Sequence, residues 1–174
     1  MLTACIGSHG PDTPADECSA FYGVLDTIYM ADMAEGIGES ADAAKYRAQA
    51  ADARVAYHAH FWDPLHQVYS KGSQCSTMMA LWLGAVPARL EAAAVATMVG
   101  NIQSNKYGKN HLDGGIILTT FMFDTLVKFG YAGLAIDTLL TDEYPSFGYM
   151  ISQGGTTLWE AFEGNPHKQD GSWK

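Results

Sequence analysis

Positive charge is scarce in this chain. Ten Lys and Arg stand against nineteen Asp and Glu, giving a formal net charge of -9 and a pI near 4.9. Affinity for a phosphate backbone or an anionic bilayer rests on clustered cations. Here the cations are dispersed, so neither nucleic acid nor a membrane is an expected partner. Long apolar runs are missing too. No stretch approaches the roughly 20 residues that span a bilayer, and Met1 to Gly10 shows neither the basic start nor the apolar run of a secretory signal. Cysteine is sparse: Cys5, Cys18 and Cys75 show no CxxC spacing and no nearby paired histidines. That argues against a disulfide framework or a zinc site and favours small buried hydrophobes. No segment alternates apolar and polar residues over a useful length, so a central sheet is not expected.

What is present is apolar residues at helical spacing, in a chain of 174 residues that is 48% hydrophobic and so able to bury a sizeable core. From Asp16 to Ile37, the residues Phe21, Leu25, Ile28, Tyr29, Met33 and Ile37 recur at three and four. The spacing predicts an amphipathic helix with one buried stripe, stopped by Gly38. Ser40 is the expected N-cap of a second helix through Trp62, ahead of Asp63-Pro64. Its Ala41 to Ala59 run carries no heptad of large apolar residues, which points to close helix packing rather than a coiled coil. After an extended piece at Val68-Tyr69, Ser73 or Ser76 caps a helix to Leu83 that Gly84 ends, and Pro87 opens another to about Ser104. A third pair follows, Gly115 to Phe129 and, past Gly130, Tyr131 to Leu140. The expected architecture is all-α hairpins layered helix on helix, with residues 1–15 and 164–174 as loop-like ends.

The run Tyr144-Pro145-Ser146-Phe147-Gly148-Tyr149-Met150, closed by Thr156-Thr157-Leu158-Trp159-Glu160, places one carboxylate behind an aromatic, glycine-punctuated loop. Further upstream stand Ser19-Ala20-Phe21-Tyr22, Met33-Ala34-Glu35, Gly72-Ser73-Gln74 with Val86-Pro87, and His111-Leu112 with Gly115-Ile116. In that order these motifs resemble the C-terminal half of the six-hairpin, (α/α)6-barrel catalytic domain of bacterial-type α-L-rhamnosidases. The family pattern has tryptophan where Phe147 stands, alanine at Gly155, glycine at Asn110 and commonly glycine at Leu118. The resemblance covers about residues 17–163. It implies an (α/α)6 toroid that is incomplete within residues 1–174. In the family an acidic loop with the general acid belongs to earlier hairpins, and a histidine-bearing segment follows. The chain is therefore expected to be truncated at both ends, to need the remaining hairpins of the same domain, and to be inactive alone.

The resemblance further implies inverting hydrolysis of terminal α-L-rhamnosides, the substrate being a rhamnose-containing glycoside or oligosaccharide. Inversion needs one carboxyl group to protonate the leaving oxygen and another to take a proton from water. The resemblance gives Glu160 the second role. A helix starting near Thr156, capped by Thr156 or Thr157, would favour the anion at its first turn. Judged by position alone, Glu160 is an N-terminal glutamate worth about 0.3–1 kcal/mol to a helix dipole. Tyr149, Trp159 and His111 are the candidate substrate contacts. Aromatic rings suit the methyl group and ring face of a deoxy sugar, but packing is the favoured role for Phe147 and Trp159 and an even choice for Tyr149. A lone loop histidine such as His111 is ordinarily a solvated surface group. His58 and His60 lie two apart and face different sides of a helix, so with His66 they make no ligand pair; no metal and no cofactor is expected. Asp113 is the only other carboxylate in a comparable loop and is assigned no chemistry; Asp137, Asp142 and Glu143 read as solvated helix-end charges. Two other readings stand beside this one: a non-catalytic helical remnant or carbohydrate- or protein-binding module, and a six-hairpin glycosidase with another sugar specificity.

Overall fold

Helix α1 (Ala15–Gly36) begins after Pro14 and ends where Gly38 takes φ 85, with Glu39 N–H donating back to Ala34 O at 2.8 Å. A left-handed glycine closes a helix at no Cβ penalty, and the chain reverses at once into α2 (Ser40–Phe61). The N-cap of α2 is Glu39, so Ser40 is its first helical residue and not its cap. The two helices form a hairpin, with small residues, Ala31 and Ala34 on α1 and Ala43 and Ala50 on α2, buried. Close approach of two backbones explains Ala43 and Ala50, whereas Ala41, Ala44, Ala48, Ala51, Ala56 and Ala59 of the same helix are exposed. The structure, a computed structural model, describes residues 13–104, 106–159 and 162.

Trp62 does not continue α2. Its backbone turns extended, and β1 (Trp62–Asp63) pairs antiparallel with β2 (Val68–Tyr69), Trp62 opposite Tyr69. Asp63 makes the turn between them: its Oδ1 accepts from Leu65 N–H at 2.8 Å and His66 N–H at 3.2 Å, and its Oδ2 lies 2.6 Å from His66 Nδ1. Those bonds hold the Asp63 carboxyl below its usual range, the His66 side chain contributing most.

Helix α3 (Gln74–Leu83) is the most enclosed element, with Met78, Met79, Ala80, Leu81 and Leu83 all buried. Ser73 caps it by accepting from Ser76 N–H, and Gly84 at φ 67 ends it. It packs on α1, on α4 (Ala88–Gln103) and on α5 (Ile116–Lys128), which in turn pairs with α6 (Ala132–Leu139). Helices α1, α3 and α5 thus line one side by side, each backed by its hairpin partner. Where they meet, Phe21, Trp82 and Phe121 form a triangle of edge-on rings with centroids 6.0, 5.1 and 5.1 Å apart.

The stripe of α1 is buried only in its first half. Phe21 and Leu25 are enclosed, but Tyr29, Met33 and Ile37 are exposed, Ile37 at 78%. No described element covers that end. On α6 and just beyond it, Ile136, Leu139 and Leu140 are likewise exposed. A further short helix, α7 (Phe147–Ser152), was not indicated by spacing and lies inside the aromatic run; Ser146 caps it, accepting from Tyr149 N–H.

Candidate functional site

The starts of α1, α3 and α5 are fastened together at one end of the helix array. Thr13 Oγ1 and Ser73 Oγ lie 2.7 Å apart, joining α1 to α3. Gln74, almost fully buried, joins α3 to the segment before α5: its Nε2 donates to His111 O and Asn101 O, both at 2.9 Å, and its Oε1 accepts from Asp113 N–H at 3.0 Å. Asn101 Nδ2 donates to Gly72 O at 2.8 Å, and Thr141 Oγ1 to Asn110 O at 3.2 Å. The α2–α3, α4–α5 and α6–α7 connections therefore converge on one mouth. A pocket of about 220 Å³ opens there, lined by Lys71, Ser73, Gln74, Asn101 and Asp113 among others. Lys106 Nζ pairs with Asp113 Oδ1 at 3.1 Å at its edge.

Beneath the mouth lies an ionisable group that no motif singles out. Glu17 is fully buried. Tyr57 OH donates to its Oε1 at 3.0 Å, Ser76 Oγ to its Oε2 at 2.6 Å, and Ser70 also bonds its carboxyl. Burial pushes the Glu17 carboxyl up, against the three hydroxyls that favour its charged form, and the nearby Asp16 charge adds to the rise. Burial and the adjacent Glu17 push the Tyr57 phenol up in turn.

Glu160 lies outside the described residues. The helix expected from Thr156 is not present in the described part of its span: Thr156 and Thr157 lie in a bend, and Leu158 and Trp159 are irregular. Thr157 Oγ1 donates to Leu158 O at 3.2 Å, which is not a cap. Gly154 at φ 84 turns the chain out of α7 just before this stretch. Tyr149 is half-buried on α7, its ring edge-on to Tyr144 at 5.2 Å, and Tyr144 in turn meets Tyr107 at 5.7 Å. Phe147 packs among Phe123 and Phe162, and Trp159 is half-buried against the core.

His111 is not a solvated loop residue: it is 2% exposed, because Gln74 draws its backbone onto α3. Burial lowers its pKa, partly opposed by the Glu143 charge. The structure brings His111 and Asp113 together through Gln74. The available signal for Gln74 is a polar residue straight after a capping serine, at the start of a helix that is wholly apolar from Met78 onward. Among the described residues no group of three His, Cys, Asp or Glu side chains is placed to hold a metal. His58 Nδ1 lies 2.7 Å from Tyr69 OH, and His60 meets Phe61 edge-on.

A family model described as the bacterial alpha-L-rhamnosidase 6 hairpin glycosidase domain matches residues 8–174. The chain belongs to this family. Similar relatives of the bacterial rhamnosidase family include the α-L-rhamnosidase of Streptomyces avermitilis, 29% identical over 153 residues, which are 87% of this chain and 14% of that protein. The α-L-rhamnosidase of Alteromonas sp. is 29% identical over 125 residues, 71% of this chain and 13% of the relative. The chain thus spans about a seventh of these curated relatives, at 13% and 14%. Among solved structures, the α-L-rhamnosidase from Dictyoglumus thermophilum superposes with a TM-score of 0.80 and 32% identity, over 91% of this chain and 18% of that one. The Streptomyces avermitilis enzyme complexed with L-rhamnose gives 0.78 and 26%, over 98% and 16%. The Aspergillus terreus enzyme, at 0.84 and 19% identity over 99% and 20%, shows the same six-hairpin fold.

One departure from the rhamnosidase pattern has a conformational explanation. Asn110, where the family pattern has glycine, takes φ 61. Asparagine is among the few residues that tolerate this left-handed region, so the turn into His111 is kept without the glycine. Leu118, at the other such position, is fully buried on α5.

Proposed function

We propose that this chain is part of an inverting α-L-rhamnosidase in which Glu160 is the general base and the general acid stands on hairpins outside these 174 residues. What carries the reading is the combination of a six-hairpin rhamnosidase-family match over residues 8–174 with three inter-helix connections bound to one another at a single mouth. Glu160 follows α7 in the chain, and the connection leading into α7 is bound to the mouth through Thr141.

In this mechanism Glu160 removes a proton from water while the acid, across a gap of about 6.5–9.5 Å that leaves room for that water, protonates the glycosidic oxygen. Tyr149 and Trp159, both half-buried, present ring surface to the methyl group and apolar face of the sugar. His111 is the third substrate contact in this reading, in the loop that Gln74 binds at the mouth.

The test is hydrolysis of p-nitrophenyl α-L-rhamnoside, with other aryl glycosides beside it, by this chain joined to its remaining hairpins. NMR then follows the first-formed sugar. β-L-Rhamnose as the initial product is expected. The α anomer would contradict inversion, and turnover of another glycoside alone would move the specificity elsewhere in the fold family.

A further inference from the structure

Gln74, the first residue of α3, is 2% exposed and spends its carboxamide on the loop before α5 and the end of α4. Its two Nε2 hydrogens go to His111 O and Asn101 O, and its Oε1 accepts the Asp113 N–H. The amide can stand only this way round. Turned over, its N–H groups would face the Asp113 N–H and its oxygen would face two carbonyls. The neighbouring residue holds the same loop by contact: Gly114 is buried, and a Cβ there would overlap Cys75 Sγ. Residues 110–114 therefore lie directly on the first turn of α3, and Asn110 at φ 61 turns the chain into them.

Packing alone does not call for a glutamine here. An apolar side chain of similar length would fill the space without enclosing a carboxamide, and α3 is apolar from Met78 to Leu83. What the amide adds is direction. Its bonds fix where the His111 carbonyl and the Asp113 N–H stand, and with them the backbone from which both side chains project. Asp113 also lines the pocket of about 220 Å³ at the mouth, where Lys106 pairs with it.

We propose that Gln74 is a positioning residue for substrate binding: its carboxamide sets where the loop carrying His111 and Asp113 stands at the mouth, and so how tightly a glycoside is held there. The inference rests on the rhamnoside reading above, which supplies the substrate and makes His111 a contact with it. In that mechanism the acid and the base stand on other segments. A displaced loop then weakens the ground state and the transition state alike, which raises KM and spares kcat.

Kinetics on p-nitrophenyl α-L-rhamnoside and other aryl glycosides, with this chain joined to its remaining hairpins, test it. Gln74→Glu keeps the size of the side chain, removes both N–H donors and turns negative charge on two carbonyls. Its KM should rise about tenfold, with kcat within about threefold of the wild type. Gly114→Ala moves the loop from its own side, leaves Gln74 intact and should raise KM severalfold. That variant decides the matter if a thermal melt shows that Gln74→Glu fails to fold. Tyr57→Phe, which removes a buried hydrogen bond outside the loop, should lower the melting temperature with KM unchanged. Rhamnoside turnover with KM within about twofold of the wild type in both loop variants overturns the positioning role and leaves the rhamnoside reading in place. A KM that rises equally in Tyr57→Phe overturns it too, since the effect would then follow stability alone. The same split on another glycoside, with the rhamnoside untouched, keeps the positioning role and overturns the rhamnoside reading. A wild type that hydrolyses none of the glycosides overturns both.

Discussion

Ser76 Oγ donates to Glu17 Oε2 across 2.6 Å, joining the first turn of α1 to the first turn of α3 beneath the mouth. The same carboxyl accepts from Tyr57 of α2 and from Ser70 beside β2. One buried side chain therefore sets the spacing of three helices and a hairpin. Glu17→Ala leaves Tyr57 and Ser76 hydroxyls without their acceptor in an enclosed site, at about 1–3 kcal/mol for each such group. Denaturant unfolding should show a loss of several kcal/mol, and Tyr57→Phe a smaller one of about 1–2 kcal/mol.

Glu17 also gives stability a pH dependence of definite sign. Its folded pKa is raised above the ordinary 4.5, so the folded chain holds the proton more tightly than the unfolded one. The corresponding stabilisation is complete below pH 4.5 and is lost as pH rises through the raised folded value. Melting temperature measured from mildly acidic to neutral pH should fall less steeply in Glu17→Gln than in the wild type. Identical slopes would mean that Glu17 is not the group responsible.

The ring triangle of Phe21, Trp82 and Phe121 is the contact at which α1, α3 and α5 meet. Phe21 is fully buried, and Phe21→Ala should cost about 3–5 kcal/mol. A loss below about 1 kcal/mol on chemical denaturation would place the centre of the core elsewhere.

At Asn110, φ 61 admits glycine freely and a β-branched residue poorly. Asn110→Gly should leave stability within about 0.5 kcal/mol of the wild type, whereas Asn110→Val should lower it by about 1–2 kcal/mol. Equal melts for the two variants would mean that this turn is not left-handed.

The hairpins were legible because their signals are local. Gly38, Gly84 and Gly130 all take the positive φ that ends a helix, at 85, 67 and 88, and Ser73 caps α3 with its own side chain. What the spacing mis-stated depended on contacts distant in sequence. Trp62 leaves α2 because Tyr69 is there to pair with it, and the second half of the α1 stripe is exposed because no described element packs on it. Tyr149 and His111 are candidates by motif and loop position alone, and the burial of His111 follows from Gln74, 37 residues earlier in the chain. Glu17 looked like any acidic residue in a first helical turn. Its burial is decided by Tyr57 and Ser76, which are 40 and 59 residues away.

The exposed apolar side chains carry their own expectation. Met33 and Ile37 on one hairpin, with Ile136, Leu139 and Leu140 on another, leave apolar surface open, and such surface promotes association. Sedimentation of the 174-residue chain should show concentration-dependent self-association, relieved when the remaining hairpins are supplied. A monomer at all concentrations would mean that these faces need no cover.

If Glu160 is the base of a rhamnoside hydrolase, Glu160→Gln in the chain joined to its remaining hairpins should turn over p-nitrophenyl α-L-rhamnoside with a kcat at least about a thousandfold lower, roughly 4 kcal/mol in the barrier, and melt at the same temperature. Turnover within a few-fold of the wild type would contradict it and remove Glu160 from the mechanism.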